Sequence, residues 1–363
     1  MITNSNSISK LQLYFFIVQS QIGIGLLSLP NAVQSTAKGD GWISTLIAGV
    51  AVQITLFIYW FLLKRYPNTT YTDITKKILG KYLGKFCNLF IYIYFIMIGS
   101  LACALFIRSI SLWLLPLTPT WVLSLIIILS SIYLTISDLR IIARFFVLAS
   151  VLIILLFLLS FFTFYLPKDF HYILPIGQSG VKNIILGSHK SLLSILGFES
   201  LLLIFPFVLD TEKGILKTVS LANFSVTLFY TYFTFICLLS FSPTQLLQIR
   251  EPVLYIFKAL SFEMMDRLDL IFLSVWIVPM TTSVILYLFL SAKSISKEKS
   301  FKKNVVISGI LIFFLTIIPF DEDQLAIFDK YVTYLSYVVV FGLPFILFCL
   351  SFIISKTERS EQL

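Results

Sequence analysis

Long apolar stretches dominate this chain, and they exclude most of what a protein of its size can otherwise become. They run over roughly 12–34, 43–63, 87–114, 120–137, 143–166, 184–209, 218–242, 268–292, 304–319 and 332–355. Most approach or exceed the ~20 apolar residues that a helix needs to cross a bilayer. Only 12% of the 363 residues are charged and 58% are hydrophobic. A soluble enzyme is therefore excluded, and the expectation is an all-α polytopic membrane protein with ten transmembrane helices. The formal charge of +9 does not point to nucleic acid, because the basic residues lie in short connections between the apolar runs.

Those connections also predict orientation. Lys64, Arg65, Lys76, Lys77, Lys81 and Lys85 follow the second span, and Lys293, Lys297, Lys299, Lys302 and Lys303 follow the eighth. On the opposite side stand Lys38, Lys330 and a few others, with Asp321, Glu322, Asp323 and Asp329 before the tenth span. The positive-inside rule then places both termini in the cytoplasm. Two connections carry their own helical periodicity. Tyr71, Ile74, Ile78, Tyr82 and Phe86 form an apolar stripe, with Thr70 and Asp73 as a capping box, and predict a helix lying on the membrane surface. Leu246, Ile249, Val253, Phe257, Leu260 and Met264, interrupted by Pro252, predict an outer helical hairpin or bent helix. Cys87, Cys103, Cys237 and Cys349 lie in or at the edge of spans with no CxxC spacing, which reads as packing rather than disulfide or metal binding.

Within the first span, Gln19-Ser20-Gln21-Ile22-Gly23-Ile24-Gly25-Leu26-Leu27-Ser28-Leu29-Pro30 weakens the helix at mid-depth. A lipid-embedded backbone satisfies its polar groups internally, so a break is tolerated only against protein, water or ligand. The sixth span repeats the feature in Leu196-Gly197-Phe198-Glu199-Ser200, with Pro206 beyond. Five spans separate the two, so they run antiparallel. Paired interruptions in antiparallel halves indicate an inverted-repeat transporter fold with its ligand site at the breaks. The alternative is that the glycines only allow close helix packing. One transmembrane domain is expected over 1–363, with repeats of approximately 10–166 and 182–355.

The half-helix that starts near Gly25 directs free N–H groups to mid-membrane, which favours an anion such as an amino-acid carboxylate. Gly25 is expected to let the ligand approach the backbone. Tyr94, Met97, Ile98 and Leu101 of the third span, at helical spacing, and the polar cluster Thr281, Thr282 and Ser283 of the eighth are the expected walls. Glu199 is the buried charge: a carboxylate at the bilayer centre costs about 2.5–3.5 kcal/mol even on the lenient insertion scale. It is read as a proton- or ion-coupling group, with Arg108 as its hypothetical partner. The other reading is a structural carboxyl satisfied by backbone amides. No metal or cofactor is expected.

The motif Gly23-Ile24-Gly25-Leu26-Leu27-Ser28-Leu29-Pro30 is similar to the first-span motif of the amino acid–polyamine–organocation superfamily. Gly197-Phe198-Glu199 with Leu201-Leu202 and Pro206, and Met265-Asp266-Arg267-Leu268-Asp269 leading to Trp276, narrow the resemblance. Over essentially its whole length the chain resembles the B subunits of spore germinant receptors, the endospore germination permease family. That resemblance implies a LeuT-type 5+5 fold with broken helices 1 and 6, and a place in the spore inner membrane. It implies assembly with an A subunit and a lipoprotein C subunit, and binding of a nutrient, commonly an amino acid. Carried onto this sequence, Gly23 and Gly25 of the first-span motif and Gly197, Phe198 and Glu199 of the sixth face the ligand; together with the helix breaks and walls read above, the expected ligand-binding set is Gly23, Ile24, Gly25, Leu26, Met97, Leu101, Gly197, Phe198, Glu199 and Thr282. The eighth-span match implies a structural role. A nutrient sensor is the leading expectation and an amino-acid permease the second.

Overall fold

The computed structural model describes residues 7–23, 25–260, 267–296, 298–318 and 321–360. Ile24, Met264, Met265, Asp266 and Lys297 lie outside the described residues. The first span is split into α1 (Lys10–Gln21) and α2 (Gly25–Ala37). Then follow α3 (Gly41–Leu63), α4 (Tyr71–Trp113), α5 (Thr120–Thr135) and α6 (Leu139–Ser160). The sixth span is split into α7 (Val181–Ser194) and α8 (Ser200–Ile204). The remainder comprises α9 (Glu212–Ser240), short α10 (Pro243–Gln248) and α11 (Pro252–Lys258), α12 (Leu268–Ile295) and α13 (Phe301–Ile317). The last span is α14 (Glu322–Ser336) and α15 (Leu343–Ser360), joined by a π-helical turn at Tyr337–Gly342. This is a ten-span all-helical membrane protein with the first and sixth spans broken.

Its core is one large apolar cluster running through almost every span, beside a small one of Ile173, Leu238, Leu239 and Leu246, and the split spans cross inside the large one. α1 packs on α6 and α9, while α2 packs on α7. Local chemistry sets the ends. Ser9 accepts the Gln12 amide at 3.3 Å while the Gln12 side chain takes the Ser9 amide at 2.9 Å, a complete capping box for α1. Thr211 caps α9 through the Gly214 amide at 3.1 Å. Pro252 starts α11 rather than interrupting it, because its missing N–H is harmless in a first turn. The bend before it leaves two short helices where the stripe from Leu246 to Leu260 predicted them.

The surface helix differs from expectation. It is continuous with the third span apart from a turn at Gly80 (φ 80°). Tyr71, Ile74 and Ile78 are buried in protein, while Tyr82 and Phe86 are 86% and 67% exposed. The stripe therefore divides at Gly80, one part packing inward and the other facing outward. No capping box forms there: the Thr70 hydroxyl instead donates to Asp73 at 2.7 Å.

Two tethers were invisible to periodicity. The buried Asp40 carboxylate accepts the Gly177 amide (2.7 Å), the Ser179 amide (2.9 Å) and the Ser179 hydroxyl (2.6 Å). This fixes the long connection after α6 to the α2–α3 corner. On the other side of the molecule, Ile8 pairs in parallel with Val208. The Ile8 amide donates to Phe207 O and the Leu209 amide to Ile8 O, each at 2.9 Å. Arg140 reaches Ser7 O and Oγ at 2.9 Å, and Lys10 meets Asp210 at 3.0 Å. Arg140 therefore straps the segment ahead of α1. Burial lifts the Asp210 carboxyl, but Lys10 and the Thr211 amide together hold it below the usual carboxylate range.

Candidate functional site: two helix breaks and a cavity

Every broken turn in a membrane core must place its backbone groups somewhere, and here the placements define the site. In the first break, Ile22 N–H still reaches Val18 O (3.0 Å) and Leu26 N–H reaches Gly23 O (3.2 Å). Gly23 N–H points at the Tyr230 hydroxyl, 3.4 Å away. That hydroxyl, on α9, also lies 2.9 Å from Gln21 O and 3.0 Å from Ser194 O. Tyr230 thus bridges both interrupted spans. Gln21 adds a second link, its amide donating to Ile195 O at 3.3 Å. In the sixth break, Ser200, Leu201 and Leu202 N–H groups turn back on Gly197, Phe198 and Glu199 carbonyls at 3.0–3.1 Å.

The two breaks touch directly. Gly197 has φ +123°, and a Cβ there would stand 1.9 Å from Ser20 O. A Cβ on Gly25 would stand 2.8 Å from the Ser194 Cα. Both glycines permit backbones to cross, so for Gly25 the close-packing reading describes the geometry. Gly23 is different: a Cβ would meet only the Ser283 hydroxyl, at 3.3 Å.

A cavity of about 720 Å³ opens from this crossing. Gly23, Gly25, Gln21, Ser194 and Leu196 line its deep end, Leu101 of α4 and Ser283 and Tyr287 of α12 its walls. Arg108, Lys190, Arg250, Glu251, Asp329 and Lys330 line its mouth. The mouth lies on the side of α10 and α11. Asn31 of α2 holds α10 by donating to Leu246 O (2.8 Å) and Leu247 O (3.1 Å).

Several expected residues sit elsewhere. Leu26 is 1% exposed and packs in the core, because it lies on the opposite side of α2 from the cavity. Met97 packs against the core, while Ile98 and Leu101 of the same expected stripe line the wall. Thr282 is turned into protein with its hydroxyl 3.0 Å from Gln19 Oε1, leaving Ser283 at the surface of the cavity. Phe198 is fully buried between Tyr59 and Phe341, with ring centroids 5.9 Å away on each side. Ile24 lies outside the described residues.

Glu199 is buried behind Tyr287. Its Oε2 accepts the Gly197 amide at 2.7 Å, so it serves as a local backbone cap. Its Oε1 lies 3.5 Å from the Tyr94 hydroxyl, with Tyr287 as a further hydrogen-bond neighbour. Arg108 is not among its partners. That guanidinium stands in the field of Arg250 and Glu251 at the mouth, because α4 carries it beyond the break. The Glu251 carboxylate in turn reaches Ser109 and, at 2.7 Å, Trp113 Nε1. Arg267 and Asp269 pair at 2.9 Å, and Trp276 stacks on Phe272 within the core, a structural arrangement of the eighth-span entry.

Residues 7–325 match the family described as spore germination protein, the spore permeases. The chain belongs to that family. It is 28% identical to the spore germination protein GerQB of Bacillus cereus over 84% of each chain. Against spore germination protein A2 of Bacillus subtilis it is 26% identical over 94% of each. Among solved structures it resembles MhsT in complex with L-phenylalanine, with TM-score 0.68, 16% identity, and 95% and 89% of the two chains covered. A Na⁺-coupled sialic acid symporter follows at TM-score 0.62, 13% identity, and 94% and 80% coverage. The fold is LeuT-type, with ten helices in a 5+5 inverted repeat. The family and the fold neighbours are germination proteins and transporters. Tyr230 and Asn31 were missed in sequence because an aromatic or an amide within a span carries no local signal of its distant partner.

Proposed function

We propose that this chain is the nutrient-sensing subunit of a spore germination receptor, binding a small ligand of the amino-acid class in the cavity at the crossing of the two breaks. The supporting observation is that one cavity joins a charged mouth to exposed backbone at both interrupted spans. Gly23, Gly25 and Leu101 contact the ligand directly; Gly197, Phe198 and Glu199 shape the floor from behind. Binding favours one arrangement of the α2–α7 pair by its differential affinity for the two states, and partner A and C subunits read that arrangement. The protein resides in the spore inner membrane with both termini cytoplasmic, and the cavity mouth faces outward. It is not an enzyme and acts with no cofactor or nucleic acid.

Deleting the chain in its host and following loss of spore refractility in single nutrients tests this reading. Loss of response to one nutrient or a small set, with others intact, is the expected result. Normal germination together with poor amino-acid uptake in growing cells overturns it. One observation favours a second reading, an amino-acid permease: Glu199 holds an ionisable group behind the cavity wall, as proton coupling requires. Net uptake of labelled amino acid into proteoliposomes holding this chain alone, abolished by Glu199→Gln, selects the permease.

A further inference from the structure

The turn between α3 and α4 carries a feature that the ligand site does not use. Gly80 folds the start of α4 into a helical hairpin. Its arms lie in direct contact: a Cβ on Gly84 would stand 2.5 Å from the Lys76 Cα. Thr75 donates to Asn88 at 2.7 Å, and Asn88 donates to Thr72 O at 2.8 Å, locking the two arms side by side. The fold therefore gathers Lys76 and Lys77 from one arm with Lys81 and Lys85 from the other, all four exposed. The acid within the hairpin is Asp73, which already holds Lys76 (2.9 Å) and Thr70 (2.7 Å). Next to the lysines, Tyr82, Leu83 and Phe86 are 86%, 62% and 67% exposed. Aromatic and aliphatic side chains beside long cationic ones suit the headgroup depth of a bilayer, where the stems and rings lie in the apolar edge and the ammonium groups reach phosphate.

We propose that this hairpin is a docking surface for anionic phospholipid. Charge complementarity selects the occupant: a rigid apex of four lysines against one acid attracts an anionic headgroup, while the exposed rings accept its acyl chains. An attraction of this kind amounts to about fivefold in relative association for each lysine engaged, and it weakens with salt. The hairpin also faces the interior. Tyr71, Ile74 and Ile78 of its first arm are buried.

The test uses the full chain reconstituted in phosphatidylcholine with spin-labelled phosphatidylglycerol or spin-labelled phosphatidylcholine as probe. The expected result is a several-fold preference for the phosphatidylglycerol probe. It falls towards unity in the combined Lys76→Gln, Lys77→Gln, Lys81→Gln and Lys85→Gln variant and at high salt. A control carrying Lys213→Gln, Lys217→Gln, Lys302→Gln and Lys303→Gln keeps the preference. Equal melting temperatures in uncharged detergent establish that both variants are folded; if the hairpin variant does not fold, Lys81→Gln with Lys85→Gln alone is expected to lower the preference partway. No preference in the parent protein, or an equal loss in the control, overturns the proposal. So does an unchanged lipid preference in a hairpin variant that has lost co-purification of a partner subunit, which marks the surface as protein-facing.

Discussion

The two helix breaks look alike in sequence and do different work. In the first, the Ile22 and Leu26 amides keep backbone partners, and Gly23 lies beside the cavity, where an added Cβ would meet only the Ser283 hydroxyl. The sixth, from Ile195 to Glu199, is pressed against the first so closely that Gly197 adopts φ +123° under Ser20 O, and its amide is capped by the buried Glu199 carboxylate. One break leaves a glycine facing the cavity; the other is a tight backbone crossing. A glycine in a membrane break is thus not in itself a ligand contact. What its missing Cβ would have met decides which role it has.

Substitutions that add one methyl group should separate the two breaks. Gly197→Ala is expected to have the largest effect, because neither the carbonyl 1.9 Å away nor the positive φ can adjust cheaply. Loss of about 3–5 kcal/mol, seen as failure to accumulate folded protein or a collapsed melting temperature in detergent, checks it. Near-normal melting would mean that the crossing is soft. Tyr230→Phe removes the hydroxyl shared by Gln21 O, Ser194 O and Gly23 N–H. It should cost about 1–3 kcal/mol and, because the hydroxyl joins both spans, its effect should be non-additive with Gly25→Ala. A double-mutant cycle with no coupling would separate the two breaks energetically.

Gly23→Ala should behave in the opposite way to Gly197→Ala. The Ser283 hydroxyl can yield by a few tenths of an ångström, so the melting temperature should barely move. Ligand response should weaken about tenfold, or about 1.4 kcal/mol, read as the nutrient concentration for half-maximal germination. An unchanged dose–response curve would take Gly23 out of the site.

Asp210→Asn, away from both breaks, should give the smallest effect. The parent carboxyl is held below its ordinary value by Lys10 and the Thr211 amide, so its stabilisation is present above the unfolded carboxylate pKa. It is lost as pH falls through the depressed folded value. Parent and variant should therefore differ in melting temperature at neutral pH and converge on acidification. A constant difference across that range would show that the pairing contributes little.

Much of this was legible before any coordinates. Charge scarcity and the lengths of the apolar runs define the spans, because a bilayer imposes both. The paired glycine–proline interruptions locate the crossing, because a helix broken in lipid has to set its freed backbone groups against protein, water or ligand. Which side of each helix faces the cavity was not legible. Of Met97, Ile98 and Leu101 in α4, Ile98 and Leu101 line it, and of Thr281, Thr282 and Ser283 in α12 only Ser283 does; one residue along a helix is a turn of 100°. In a span apolar all round, periodicity cannot resolve that angle. Long-range polar contacts such as Tyr230 with Gln21, or Arg140 with Ser7, leave no pattern in either partner's neighbourhood.

The pairing of Ile8 with Val208 acquires a mechanical meaning beside Tyr230. α1 is a short beam, clamped at its foot by the Ile8 pairing, Arg140 and Lys10, and at its head by the Tyr230 hydroxyl behind Gln21. A beam clamped at both ends does not pivot. For α1 to swing, one clamp has to let go while the other becomes the hinge, so a disturbance at the head and one at the foot tip it in opposite senses.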